Sequence, residues 1–196
     1  MGGVVGELLA LCAACRGQRG WPAAHAGCGS LVSTAKAHMA SGRPTVLCDL
    51  SRGMMKAARD RIRALGGGVP DHLVFLQADL RGLPFRDGAF ASVLAPGMLH
   101  LFEDVEVVTE ELARISAPDA SLWMSSLVAD RALGRLYLNL LHRAGEVAAP
   151  RHAAALLARL RLPGFDNEAS LKVERDGNML FMTARRAART QERPNR

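Results

Sequence analysis

From residue 45 onward the chain alternates short, continuously apolar runs with stretches whose apolar residues recur every three or four positions. The first pattern suits strands, and the second suits helices with one buried face. Residues 45–48 read as a strand that ends at Asp49, and Ser51 stands where a helix cap belongs. Met54, Ala58, Ile62 and Leu65 fall on one stripe of the helix that follows, and Gly66 is placed to close it. Residues 73–76 are apolar without a break, the expectation for a strand buried on both faces of a parallel sheet. A further strand is predicted over 90–94, then an amphipathic helix over 104–116 with Val105, Val108, Leu112 and Ile115 inward, then a strand over 121–128. Leu133, Leu136, Tyr137, Leu140 and Leu141 repeat at helical spacing, and a second helix is expected over 152–160. Two strands, 169–175 and 178–184, close the chain around an Asp176-Gly177 turn of a type that hairpins favour. The first strand, 21–26, is the poorest of the set because it contains Pro22 and few β-branched residues.

Strands that alternate with helices build a parallel sheet with helices on both faces. The expected fold is therefore an α/β three-layer sandwich, a mostly parallel seven-stranded sheet closed by a C-terminal antiparallel hairpin. The 196 residues are enough for one such core and read as one domain. Within it, 1–20 is an irregular beginning, 128–150 lies where such sheets carry a substrate lid, and 186–196 is a frayed tail. Ligands of open parallel sheets bind beyond the carboxyl ends of the strands. The residues that follow each strand are thus the candidates: Gly27, Cys28 and Gly29, then Asp49, Asp79, Pro96 and Gly97.

Composition adds exclusions. With 49% apolar and 22% charged residues the chain belongs with folded proteins rather than disordered ones. Its formal charge of +6, nearly all of it arginine, would suit an anionic partner such as RNA or an acidic membrane surface. The arginines are spread along an alanine-rich chain, and the one dense cluster is the terminal 185–196, so a nucleic-acid partner is not favoured. No apolar run is long enough to span a membrane. Residues 4–15 are apolar, but no basic residue precedes them and Glu7 interrupts them, which argues against an export leader and for the cytoplasm. Of the four cysteines, Cys12 and Cys15 have the spacing of half a zinc site. The other half is missing, because Cys28 and Cys48 fall in segments with other roles, and no metal is expected.

One stretch carries a specific resemblance. The run from Val46 to Ser51 followed by Met54 and Met55, then Gln77-Ala78-Asp79-Leu80, Leu83-Pro84-Phe85, Asp87-Gly88-Ala89-Phe90 and Leu99-His100, resembles the class I S-adenosylmethionine-dependent methyltransferases, in particular the small-molecule and quinone methyltransferase-like group. The resemblance covers roughly 27–184 and implies a Rossmann-like fold, S-adenosylmethionine as cofactor and a small-molecule methyl acceptor. Asp49 would then accept the ribose hydroxyls, with a turn carboxylate as the plainer role. Asp79 would accept from the adenine amino group while Leu50, Met54 and Leu80 close around the ring. Gly27, Cys28 and Gly29 would form the loop under the methionyl part, and Pro96 would line the pocket beside it. No catalytic residue is identified, since methyl transfer depends chiefly on alignment. His100, Tyr137 and His142 are weaker candidates for the substrate side.

The chain departs from the family pattern at the glycine loop. An acid is usual two positions before the first glycine and a third glycine two positions after the second; here His25 and Leu31 stand there. Ala91 replaces a usual aspartate, and Pro118-Asp119-Ala120 replaces a proline-glycine-glycine turn. The altered loop keeps a second hypothesis open, a protein of this fold that has lost catalysis and acts as a binding or regulatory partner. A nicotinamide-binding domain is disfavoured, because Val32 occupies the last glycine position of that fingerprint.

Overall fold

The computed structural model describes residues 23–165 and 171–188. Along them run β1 (Ala23–Ala26), α1 (Ala35–Ser41), β2 (Thr45–Asp49), α2 (Arg52–Gly66), β3 (Leu73–Gln77), β4 (Phe90–Ala95), a single 3₁₀ turn (Leu99–Leu101), α3 (Val105–Ile115), β5 (Ser116–Leu127), α4 (Ala132–Arg143), α5 (Ala153–Arg159), β6 (Lys172–Asp176) and β7 (Met179–Arg185). The strands form one seven-stranded sheet in the order β3-β2-β1-β4-β5-β7-β6. β1 to β5 pair in parallel, and β7 runs antiparallel to both β5 and β6. This is the expected Rossmann-like sandwich. Cys12, Cys15, Trp21, the start of the 169–175 strand and most of the 186–196 tail lie outside the described residues.

Strand parity divides the side chains between two cores. Ala24, Ala26, Cys48, Val93, Ala95, Leu122, Met124, Leu180 and Met182 face a large core completed by α3 and α5. The opposite face carries Leu47 and Leu73 against Met55, Ala58 and Ile62 of α2, with Leu31 and Ala35 at the start of α1. α3 buries the four residues the periodicity assigned inward. In α2 the buried stripe is Met55, Ala58 and Ile62, one residue off the expected one at its start, and Met54 and Leu65 are exposed. The cap explains the offset: Ser51 accepts from the Met54 N–H at 3.3 Å, which fixes the rotation of the first turn. The helix also ends one residue later than expected, with Gly67 at φ 72° returning its N–H to the Arg63 carbonyl at 2.7 Å.

Three further expectations are corrected. β3 is an edge strand paired with β2, Val74 on it is exposed, and the apolar run is not buried on both sides. β5 opens at Ser116, where it pairs with Phe90, and the register then shifts to Ser92 against Ser121. That irregularity holds Asp119 at φ 63°, in the place where the family carries a glycine. The hairpin turn is Gly177-Asn178, since Asp176 pairs with Met179, and Gly177 at φ 60° takes the first turn position that glycine fills at no steric cost.

Candidate functional site

The carboxyl ends of β2, β1, β4 and β5 and the adjoining start of β7 open onto one cavity of about 790 Å³. Five neighbouring strands at about 4.8 Å spacing give it a length of roughly 19 Å along the sheet. Its volume lies toward the upper end for a single-ligand site.

At one end is Asp49. Its Oδ2 accepts the Gly29 N–H at 2.8 Å and its Oδ1 accepts the Ser51 N–H at 2.9 Å. Each oxygen keeps a further lone pair, so the carboxylate is fixed in direction without being used up. Leu50, Met54 and Leu80 line the cavity beside it. The loop after β1 comes next. Gly27 and Gly29 have φ of 68° and 54°, and a Cβ on Gly27 would press on the Met98 side chain, 2.9 Å from its sulfur, so conformation above all calls for the first glycine. The Cys28 N–H bonds the Cys48 carbonyl at 2.8 Å, and Arg61 holds the Ser30 carbonyl from α2. Burial, with Asp49 close by, pushes the Cys28 thiol up to about 12, so it stays protonated at neutral pH.

Leu31 adopts φ 57° with its side chain buried against α2. The backbone thus keeps the left-handed turn that glycine would supply, at the cost of strain. His25 is buried, and its Nδ1 lies 2.9 Å from Nε2 of His38 on α1. Burial and the neighbouring imidazole hold His25 well below its ordinary value; burial brings His38, near His72, down to about 4. Both rings are therefore neutral near pH 7, and His25 places no cation at this end of the cavity. Its Nε2 has no hydrogen-bond partner among the described residues.

The rest of the lining is largely apolar: Met98 beside Gly27, Leu101, Phe102 under the Arg81 guanidinium, and Met179 and Phe181 of β7, together with Ser125, whose hydroxyl accepts the Gly97 N–H at 2.7 Å. Glu146 also borders the cavity. None of this group beyond Gly97 was singled out from the sequence, because β7 pairs with β5 across more than 50 residues of chain and no local motif signals it.

Of the nine cofactor-side residues expected from the sequence, Gly27, Cys28, Gly29, Asp49, Leu50, Met54, Leu80 and Pro96 line the cavity. Asp79 does not. Its carboxylate turns to Arg81, accepting the backbone N–H at 3.0 Å and lying 3.4 Å from the guanidinium, which also binds Asp104 at 2.6 Å and itself lines the cavity. The three substrate-side candidates are also elsewhere. His100 accepts the Leu127 N–H on Nδ1 at 3.4 Å in a separate small cavity, where burial lowers it to about 4. His142 Nδ1 meets the Val147 carbonyl at 3.0 Å, and Tyr137 lies on the outer surface of α4. Of the expected lid, 128–150, Glu146 alone among the described residues borders the main cavity.

Comparison with known proteins adds to this geometry. A family model described as a methyltransferase domain matches residues 24–124. Methyltransferase GfsG from Streptomyces halstedii is 31% identical over 103 residues, an alignment that covers 52% of this chain and 36% of that protein. The chain thus spans about a third of the length of this curated relative. Among solved structures, geranyl diphosphate C-methyltransferase from Streptomyces coelicolor A3(2), in complex with Mg2+, geranyl-S-thiolodiphosphate and S-adenosyl-L-homocysteine, superimposes with a TM-score of 0.68 at 15% identity, covering 93% of this chain and 76% of that one. The [4+2]-cyclase SpnF gives 0.68 at 16%, with 93% and 81% covered. The YcgJ protein from Bacillus subtilis gives 0.65 at 14%, with 93% and 99% covered. At these identities the structural likenesses establish the fold.

Proposed function

Since the chain belongs to the methyltransferase-domain family, we propose that it binds S-adenosylmethionine and catalyses methyl transfer to a small organic acceptor. The observation that carries this reading is Asp49, a carboxylate held by two backbone N–H groups at the edge of a cavity that two left-handed glycines and a largely apolar remainder also line.

The residues present fit such a cofactor. Asp49 would accept both ribose hydroxyls on its remaining lone pairs, a charge-assisted arrangement. Leu50, Met54 and Leu80 would enclose the adenine. The backbone of 27–31 would pass under the methionyl portion, with the neutral His25 ring in place of the usual acid; the ammonium there would meet an imidazole and peptide groups rather than an anion. Bound here, the cofactor supplies a methyl group on a positively charged sulfur, already electrophilic without further activation. The chain's own task is then alignment. Met98, Leu101, Phe102, Met179 and Phe181 would exclude water and hold an acceptor of largely apolar surface, and Ser125 and Glu146 offer it two polar contacts. Orientation alone accounts for several kcal/mol of such a barrier, up to about 7–11 in well-aligned systems.

Isothermal titration of the full chain with S-adenosylmethionine tests the reading. Saturable binding is expected, weakened by about tenfold or more in Asp49→Asn, since a charge-assisted hydrogen bond is worth roughly 1.5–3 kcal/mol. Folded wild-type protein that gives no heat at high cofactor concentration would refute it.

A further inference from the structure

The loop after β1 contains a strained residue, and a side chain from another element bears on it. Leu31 sits at φ 57° with its side chain buried, a backbone that glycine would adopt freely. Because peptide groups are planar, φ at Leu31 sets the direction of the whole peptide that joins Ser30 to Leu31. The direct way to relieve the strain is to turn that peptide, which swings the Ser30 carbonyl and the Leu31 N–H to new directions. What holds the peptide therefore decides whether the loop keeps its shape.

It is held at both ends. The Leu31 N–H donates to the Cys28 carbonyl at 3.2 Å, at the long end of the range for such a bond. The Ser30 carbonyl accepts from the Arg61 guanidinium on α2. The neighbouring carbonyls find their partners close by: Cys28 accepts from Leu31, Gly29 from the Cys28 thiol at 3.6 Å, and Leu31 from the Ala35 N–H at 3.1 Å. Of these four carbonyls, that of Ser30 is the one held from outside the loop and the helix it leads into.

Arg61 is placed for this task. It lies one turn after Ala58 and next to Ile62, both of which share a core with Leu31, so the helix that buries the strained side chain also carries the clamp. Arg61 joins no ion pair among the described residues, whereas Arg63 on the same helix pairs with Asp60 at 3.5 Å. A guanidinium on a carbonyl makes a charge-assisted bond, stronger than one between amides. Ser30 and Leu31 both line the cavity, following Gly29, whose N–H Asp49 accepts at 2.8 Å. A turned peptide would change the polar atoms that this part of the cavity presents.

We propose that Arg61 is a positioning residue for the cofactor: by holding the Ser30 carbonyl on α2 it keeps Leu31 left-handed, and with it the backbone of 27–31 in the shape that binds the methionyl portion. This rests on the S-adenosylmethionine reading above. Two measurements on the full chain test it. Backbone couplings of Leu31 in isotope-labelled protein without cofactor read its φ, and isothermal titration with S-adenosylmethionine reads affinity. Arg61→Met should move Leu31 out of the left-handed region and weaken binding by about tenfold, through a smaller population of the competent loop. In a Leu31→Gly chain, where the left-handed turn carries no strain, the same substitution should change affinity by less than about twofold. Arg63→Met removes an equal charge from an exposed position of α2 and should alter neither readout. Leu31 that stays left-handed in Arg61→Met overturns the proposal, whatever the titration gives. A loss of affinity as large in the Leu31→Gly chain assigns Arg61 to general support of the domain, and one as large in Arg63→Met assigns the effect to net charge; either overturns it. Wild-type protein whose couplings show the left-handed loop but which binds no cofactor overturns the reading of the cavity and this role with it, a failure the couplings separate from the others.

Discussion

Leu31 offers a direct test of the strained loop. It sits at φ 57° with 2% of its surface exposed, so two opposed effects meet at one residue. Left-handed backbone costs a residue with a Cβ about 1–2 kcal/mol. Burial of a leucine side chain returns about 1.5–3 kcal/mol, and more if its removal leaves a cavity. Replacing Leu31 by alanine removes the burial and keeps the strain; replacing it by glycine removes both. Each variant should be less stable than wild type, by about 2–4 kcal/mol for alanine. The comparison between them isolates the backbone. At an ordinary site alanine would exceed glycine by about 0.4–1 kcal/mol through the unfolded chain. Here relief of the left-handed strain outweighs that difference, so Leu31→Gly should exceed Leu31→Ala by about 1 kcal/mol, as the difference of these ranges. Urea unfolding followed by circular dichroism reads this as a midpoint about 0.5 M higher for glycine, with a slope of about 2 kcal/mol/M. An alanine variant as stable as the glycine one would show that Leu31 is not left-handed in solution, and the account of the loop would fall with it.

Other consequences can be checked separately. His25, His38 and His100 are all held below their ordinary value, chiefly by burial. The unfolded chain takes up protons near pH 6.5 while the folded chain resists to about pH 4 at His38 and His100. Stability should therefore be complete above pH 6.5 and fall as pH drops toward 4, by about 1.4 kcal/mol per pH unit for each histidine; urea midpoints that stay level from pH 7.5 to about pH 5 would contradict this. Gly134 lies inside α4, where alanine normally gains up to about 1 kcal/mol. Its Cβ would run into the Asn178 carboxamide, which accepts the Arg131 N–H at 3.2 Å, so Gly134→Ala should lower the thermal midpoint and Asn178→Gly in the same chain should restore part of it. Arg114 joins Glu111 at 2.6 Å, Asp87 at 2.7 Å and the carbonyls of Leu83 and Phe85. Arg114→Met should cost about 1–3 kcal/mol, through the part-buried Phe85 carbonyl left without this donor rather than through surface charge, the Leu83 carbonyl keeping the Phe85 N–H at 2.8 Å, and the loss should persist in high salt; recovery in high salt would assign it to the ion pairs instead.

Local pattern was enough for the parallel core. The strand-cap-helix unit from Thr45 to Gly66, the inward stripe of α3 and the terminal hairpin depend on spacing and turn chemistry within a few residues of one another, and the sequence alone determined their presence and order, with the end of α2 and the hairpin turn each one residue later than expected. The same holds for Asp49, whose place at a strand end follows from the strand itself. What the sequence left undecided depends on neighbours far along the chain. An apolar run such as 73–76 reads the same in the centre of a sheet as at its edge, and the order of strands put it at the edge. Asp79 follows a strand as Asp49 does, yet Arg81, anchored by Asp104 from the start of α3, draws its carboxylate away from the cavity. His25 reads as a lost acid until His38 from α1 is placed 2.9 Å from it and both are seen to be neutral. The apolar part of the cavity lining needs β7 inserted between β5 and β6. Short-range hydrogen bonding and periodicity are properties of the chain; which face is covered, and which carboxylate stays free, are properties of what long-range packing brings against it.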